Sequence, residues 1–438
     1  MQIILSFLGV ILASCYFFPF ELKILPGVNS KMVMASVGLI MCMINLSKKK
    51  DGFVDHGFIQ LTLWALGLSF ISIFTCIFND TRDFSFMTYF ISMWVWLGGA
   101  YTLVRYIKYI HHRVGVHIVA NYLITVCVLQ CILALIFNYS PQANLWFENT
   151  FGGEAYMGID TGERLHGIGC ALDVAGFRFA SVLIFSVFLL LKSVVDNEYI
   201  NSFIYLVAIG FILVIGDMIS RSTFIGLVIG LVVTTIVALK EGGAVKFISG
   251  LAIFSVMAVC IVIALYNTND IFRQDLRFGF EGFFAYFEEG EWKSNSNEIL
   301  ENMWVWPDNI KTWIIGDGYA MNPSDPEYGD PFYIGPSFHG FYMQTDIGYC
   351  RYIFYFGLIG LSVFIGLITQ AAVICMKRCE NYKWIFVMIL LLNFVEWIKV
   401  STDLFVVFAP FLCISSHEEA YSEEMETRRR YLGSLLST

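Results

Sequence analysis

Apolar stretches long enough to cross a bilayer follow one another along almost the whole chain, and a single long polar interval breaks the series. A spanning helix needs roughly 20 apolar residues. About twelve segments approach that length: 2–20, 31–46, 57–77, 85–104, 115–137, 174–191, 202–219, 223–239, 247–266, 352–375, 384–400 and 402–416. Inside lipid a backbone must satisfy its own hydrogen bonds, which a helix does. The fold class that follows is all-α: a polytopic membrane protein of about twelve transmembrane helices with one large, partly helical outer loop. Only the region of Thr402 and Asp403 separates the last two segments, as a tight turn or a kink. With 57% hydrophobic and 14% charged residues, the chain cannot be divided into soluble domains by length alone. Its N-terminal run lacks a basic n-region and a small-x-small cleavage site, so it reads as a retained helix.

Basic residues sit on alternate connections. Lys48-Lys49-Lys50, the Arg105/Lys108/Arg113 group, Lys192, Lys240 with Lys246, Lys377-Arg378 with Lys383, and Arg428-Arg429-Arg430 fall on one side. The positive-inside bias makes that side cytoplasmic and puts both termini inside. The chain then divides into helices 1–9 over 1–266 with a first outer loop near 138–173, a large outer (periplasmic) loop at 267–350, helices 10–12 over 351–416, and a cytoplasmic tail at 417–438. The net charge of -9 resides in the large loop, where 14 acidic residues face four basic ones between Asn267 and Cys350. Such a loop argues against nucleic acid or an anionic lipid surface as its partner.

The large loop reads as ordered, because it carries Trp292, Trp304, Trp306 and Trp313 with many Phe and Tyr residues. Ser296–Met303 looks helical and Asp325–Pro336 looks turn-rich. The tail, Glu418–Arg430, reads as a solvated charged helix with i,i+4 pairs Glu424/Arg428 and Glu426/Arg430. Of eleven cysteines only Cys170 and Cys350 fall on the outer side, where pairing between them is one option. No Cys/His cluster points to a metal, and Asp325, Glu327 and Asp330 lack EF-hand spacing. No pair of Gly/Pro-interrupted helices in two related halves, the mark of many transporters, is visible.

Three arginines lie on the outer side against the charge bias: Arg164 in the first outer loop, Arg221 in the turn 219–223, and Arg351 at the exit of the large loop. Guanidinium grips phosphate oxygens in a fork, so these are candidates for holding a pyrophosphate. Each is also explained by an interfacial anchor or a local ion pair, and Asp217 stands four residues before Arg221. Asp346, five residues before Arg351, is the best candidate carboxylate, either as a base or as a helix N-cap. His166, His339 and Glu163 are further candidates for proton transfer. Asn393, Glu396, Lys399 and Asp403 share one face of a continuous helix, where Glu396 can pair with Lys399. Trp304, Trp306, Trp313, Tyr319 and Tyr342 are suited to stacking on sugar rings. Together these groups suggest glycosyl transfer from a lipid-pyrophosphate donor, with arginines rather than a metal or other cofactor stabilising the departing charge.

Four stretches carry a resemblance: Arg164-Leu165-His166-Gly167, Ser220-Arg221-Ser222-Thr223, Ile315-Gly316-Asp317-Gly318, and Thr345-Asp346-Ile347-Gly348-Tyr349-Cys350-Arg351 running on to Phe356-Gly357-Leu358-Ile359-Gly360. In order and topology they resemble the bacterial O-antigen and capsular-polysaccharide polymerases, within the O-antigen ligase/polymerase superfamily. The ligase branch carries a His-Asn pair about where Asp346 stands here, while His339 is followed by Gly340. This favours polymerase over ligase. The resemblance implies undecaprenyl-pyrophosphate-linked oligosaccharide as substrate, membrane lipid and a chain-length regulator protein as partners, and work at the outer face of a bacterial inner membrane. Ligase-type transfer to lipid or protein, and a glycan-lipid flippase, stay open as alternatives.

Overall fold

The computed structural model describes residues 2–47, 56–152, 164–241, 243–322 and 340–436. Within them the chain is almost wholly helical, and each apolar segment read from the sequence contains a helix. The first half holds α1 (Gln2–Phe17), α2 (Ser30–Ser47), α3 (His56–Asn79), α4 (Tyr89–His111), α5 (Val116–Tyr139), α6 (Pro141–Thr150), α7 (Leu172–Val195), α8 (Tyr199–Ile219), α9 (Thr223–Glu241) and α10 (Ala244–Thr268). The large loop folds into α11 (Asp270–Gly279), α12 (Glu281–Glu289), α13 (Asn295–Asn302) and α14 (Ile310–Ile314). Then come α15 (Gly348–Arg378), α16 (Lys383–Glu396), α17 (Phe405–Leu412) and α18 (Ser416–Leu436). Two short strands, β1 (Glu21–Leu22) and β2 (Phe151–Gly152), pair antiparallel and tie the α1–α2 connection to the first outer loop.

Seven helices among the described residues, α3, α5, α7, α8, α9, α10 and α15, are long and apolar enough to cross a membrane. Helices α1 and α2 are shorter and apolar. The last pair is shorter still: α16 and α17 have 14 and 8 residues. At 1.5 Å per residue they rise roughly 21 and 12 Å, less than a hydrocarbon core. They form a hairpin whose tip, 397–404, reaches the start of α7 and α15, with Lys399 on Asp173 and the Thr402 carbonyl taking the Tyr352 hydroxyl.

Helix α7 is the centre of the bundle and packs on α5, α8, α9 and α16. Its approach to α9 is close enough that a Cβ on Gly226 would collide with the Ala180 backbone. Small residues let membrane helices pack backbone to backbone in this way. The loop helices start where short polar side chains satisfy free amides. Ser140, Asn269 and Asn309 accept from the amides of Ala143, Phe272 and Thr312, capping α6, α11 and α14.

Helix α15 is not continuous, contrary to the uninterrupted 352–375 segment expected from hydropathy. Phe356 and Gly357 leave helical geometry, Gly357 at φ 65. The break frees the Phe354 and Tyr355 carbonyls, which accept from the Asp317 and Gly318 amides at 2.6 and 3.0 Å. Gly316 and Gly318 are themselves left-handed, at φ 85 and 76. The late-loop Gly-Asp-Gly and the loop-exit glycine are therefore two sides of one joint. Helix α3 and the turn after it complete it: Thr75 and Asn79 donate to the Ile315 and Gly316 carbonyls, and Thr81, just past the helix, to that of Gly318.

The tail is solvated on one face only. Its pairs Glu424/Arg428 and Glu426/Arg430 form as expected, but α18 also docks on the bundle. Glu418 pairs with Arg105 and Lys108, buried Glu419 takes the Val116 amide, and Arg430 reaches Asp196 and Glu198. This end of the bundle gathers the basic connections, and the opposite end carries the loops.

Candidate functional site

At the loop end, the turn between α8 and α9 is bolted to the start of α7. Ser220 and Ser222 both donate to Asp173 Oδ1 at 3.0 Å, and Lys399 Nζ donates to the same atom at 2.7 Å. Its second oxygen takes no hydrogen bond among the described residues. Asp173 was not among the candidates read from the sequence. Its signal was there, as an acid in the first turn of a span with no base four residues away. Lys399 does not pair with Glu396, because α16 ends at Glu396 and the next residues turn away. Glu396 instead accepts from Thr402 at 2.5 Å, Asn393 from the Leu404 amide, and Asp403 from Tyr89. The polar face expected of a continuous helix is thus distributed over a helix end and a turn.

Arg221 does not pair with Asp217 either. It binds the large loop: Glu281 at 2.8 Å, the Phe278 carbonyl at 2.9 Å and Ser294 at 2.7 Å. Arg164 and Arg221 lie against the same ring, 5.4 and 4.7 Å from the centre of Phe278. The two arginines predicted to share a ligand are thus brought together. Arg164 has no ion pair among the described residues, whereas Arg221 is engaged in holding α11–α13.

Asp346 and Arg351 meet at 3.6 Å. Asp346 is not a helix cap: Ile347 occupies that position, and no side chain caps α15. Burial raises the Asp346 carboxyl above its ordinary range, against the pull of Arg351; Asp173 adds to the rise and Lys399 opposes it. The Tyr349 amide donates to the Trp397 carbonyl at 3.1 Å, which sets the loop exit against the α16–α17 tip that carries Lys399 to Asp173 on α7. Arg351 stacks 3.7 Å over Phe341, and its buried Nε has no partner among the described residues.

The aromatic candidates form two groups. Trp304, Trp306 and Trp313 run in series, with centroids 5.5 and 5.7 Å apart, and the first two are well exposed. Tyr319 stacks on Tyr342 at 5.2 Å, and the Tyr342 hydroxyl reaches Asp317. His166 belongs to neither group. It is buried between Phe137 and Phe147, at 5.7 and 4.7 Å, and burial lowers its pKa. Its contacts make it a packed aromatic of the first outer loop, not a neighbour of Asp346. Glu163, His339 and the Asp325/Glu327/Asp330 group lie outside the described residues. Cys170 and Cys350 are buried free thiols, so the disulfide option is not realised.

An anion at this end would meet Arg164 at once and Arg221 only by displacing Glu281. A hydroxyl beside Asp346 or the open oxygen of Asp173 would meet a carboxylate able to orient it or take its proton. No protein family, curated protein or solved structure matches this chain.

Proposed function

We propose that this chain is a membrane-embedded polysaccharide polymerase of twelve passes. It would join undecaprenyl-pyrophosphate-linked oligosaccharide repeats at the outer face of a bacterial inner membrane. The observation that carries the reading is the meeting of Asp346–Arg351, Asp173–Lys399 and the Arg164/Arg221 pair at one end of the bundle, under a loop lined with exposed tryptophans. An acceptor hydroxyl oxygen forms the new bond to the anomeric carbon as the bond to pyrophosphate breaks. Asp346 receives the hydroxyl proton, and Arg164 holds the departing charge, with Arg221 joining as Glu281 gives way. A groove of about 690 Å³ between α8, α9 and α10, ending at Leu276, Phe280 and Phe283, offers an isoprenoid chain a course beside Arg221. The positive-inside bias sets the orientation.

The test is purified protein supplied with a lipid-linked repeat unit. A ladder of products supports the polymerase. A single transfer onto a lipid or protein acceptor would make it a ligase, and no bond formation at all would sink both. The flippase reading gains one observation, since the break in α15 at Gly357 is a device transporters use. Movement of labelled glycolipid across proteoliposomes without any new bond would decide for it.

A further inference from the structure

The structure assigns a second anion site, formed by Lys31 and Arg178 against the ring of Trp96, and we propose that it binds a phosphate-type oxyanion. Arg178 lies roughly two turns into α7 and is only 8% exposed. Among the described residues its guanidinium makes no hydrogen bond and no ion pair, and its contacts are the faces of Phe18 at 5.7 Å and Trp96 at 5.8 Å. Its nitrogens keep slight accessibility and are not fully enclosed by protein. Lys31, at the start of α2, places its ammonium 4.1 Å over the same indole and has no ion pair among the described residues. Both cations therefore face one aromatic wall, which Tyr16 backs edge-on at 5.7 Å.

The acids nearby make their hydrogen bonds to other groups, although one buried oxygen of Glu396 has no partner among the described residues. Asp403 accepts from Tyr89 at 3.0 Å and from the Phe405 amide at 2.8 Å. Glu396 accepts from Thr402, and Asp173 is held by Lys399 and two serines. Neither Asp403 nor Glu396 comes within ion-pair distance of Lys31 or Arg178 among the described residues. A buried guanidinium that makes no ion pair is costly, and an indole face is not an anion. Two cations of different geometry set apart on one wall suit a group with oxygens on several sides, as in phosphate or pyrophosphate. A carboxylate presents its two oxygens along one edge and fits a single arginine fork better. The site is separate from Arg164 and Arg221, and the proposal does not depend on the polymerase reading. The ligand's source is either the pyrophosphate of a glycolipid or the headgroup of an anionic phospholipid.

The test uses the full chain in nanodiscs of phosphatidylcholine, titrated with inorganic pyrophosphate and followed by thermal unfolding. Wild-type protein and Arg164→Gln protein should both be protected. Arg178→Gln should weaken that protection at least tenfold, and Lys31→Met should weaken it by a smaller factor. Lys31→Met, at a half-buried position, keeps the test open if Arg178→Gln fails to fold. Unchanged protection in Lys31→Met and Arg178→Gln would overturn the site, as would protection by glucuronate but not by pyrophosphate. A parallel set of nanodiscs containing phosphatidylglycerol separates the sources. Phosphatidylglycerol retained by wild type but not by Lys31→Met in native mass spectrometry assigns the site to a headgroup. Undiminished pyrophosphate protection in its presence assigns the site to the glycolipid. The product ladder is a different readout, so its failure leaves this result standing.

Discussion

Helices α7 and α10 are alike in length and in apolar character, and both qualify as membrane spans. Yet almost all of the α7 span is buried inside the protein, and none of the α10 span is. The difference lies in their other residues. Helix α7 carries Asp173, Arg178, Ser181 and Ser186, which need partners or a dry pocket, and Ala180, which lets α9 come close. Its serines bond back to the Phe177 and Val182 carbonyls and present no bare polar atom to their neighbours. Helix α10 offers a rim of Val and Ile to the surroundings and walls two apolar grooves. Hydropathy says what a helix can border; small and charged residues say which helix is inside.

The hardest test of that contrast is chemical. Asp173→Ala should release Ser220, Ser222 and Lys399 together and lower ladder formation by about 10²-fold or more. Ser249→Ala on α10, exposed and outside both grooves, should leave it unchanged. A well-expressed Asp173→Ala protein with normal ladders would remove α7 from the chemistry. Asp346→Asn should cost about 10²–10⁴-fold in turnover while donor binding survives. Because burial raises the Asp346 pKa, the base is lost as pH falls through a value above the ordinary ~3.9 of aspartate. The acid limb of the wild-type rate should therefore lie above that value, and in Asp346→Asn it should vanish.

The packing side of the contrast is tested by two identical changes. Gly226→Ala drives a methyl into the Ala180 backbone and should cost about 1–3 kcal/mol. Gly250→Ala, with nothing near the added carbon, should instead gain up to about 1 kcal/mol of helix propensity. Unfolding midpoints of the purified variants decide, and equal shifts would erase the distinction between the two helices. The smallest effect is expected at the tail. Burial pushes the Glu419 carboxyl up to about 7, so the folded state keeps a proton that the unfolded chain releases near pH 4.3. Stability should fall as pH rises between these values, and Glu419→Gln should flatten the curve.

The helical segments and the order of the short motifs were legible in the sequence, because hydropathy runs and glycine-bearing turns are local signals. Which charges pair was not. Arg221 passes over Asp217, four residues away, for Glu281 sixty residues later, and Lys399 passes over Glu396 for Asp173. Spacing rules hold only along an unbroken helix, and both cations stand where one ends. The docked tail was missed for the opposite reason. Glu424 and Glu426 satisfied a local rule, while Glu418 and Glu419 were matched to groups on α4 and α5 about 300 residues upstream.

The joint at Gly357 also sets a schedule for assembly. Its carbonyls are capped by a segment some forty residues earlier, and that segment is held in turn by α3, about 240 residues before it. No stretch of α15 can close its own bonds there. As the chain emerges, α3 waits for the loop and α15 waits for both, so the first turns of the span, up to Gly357, should be late to gain protection from hydrogen exchange and early to lose it.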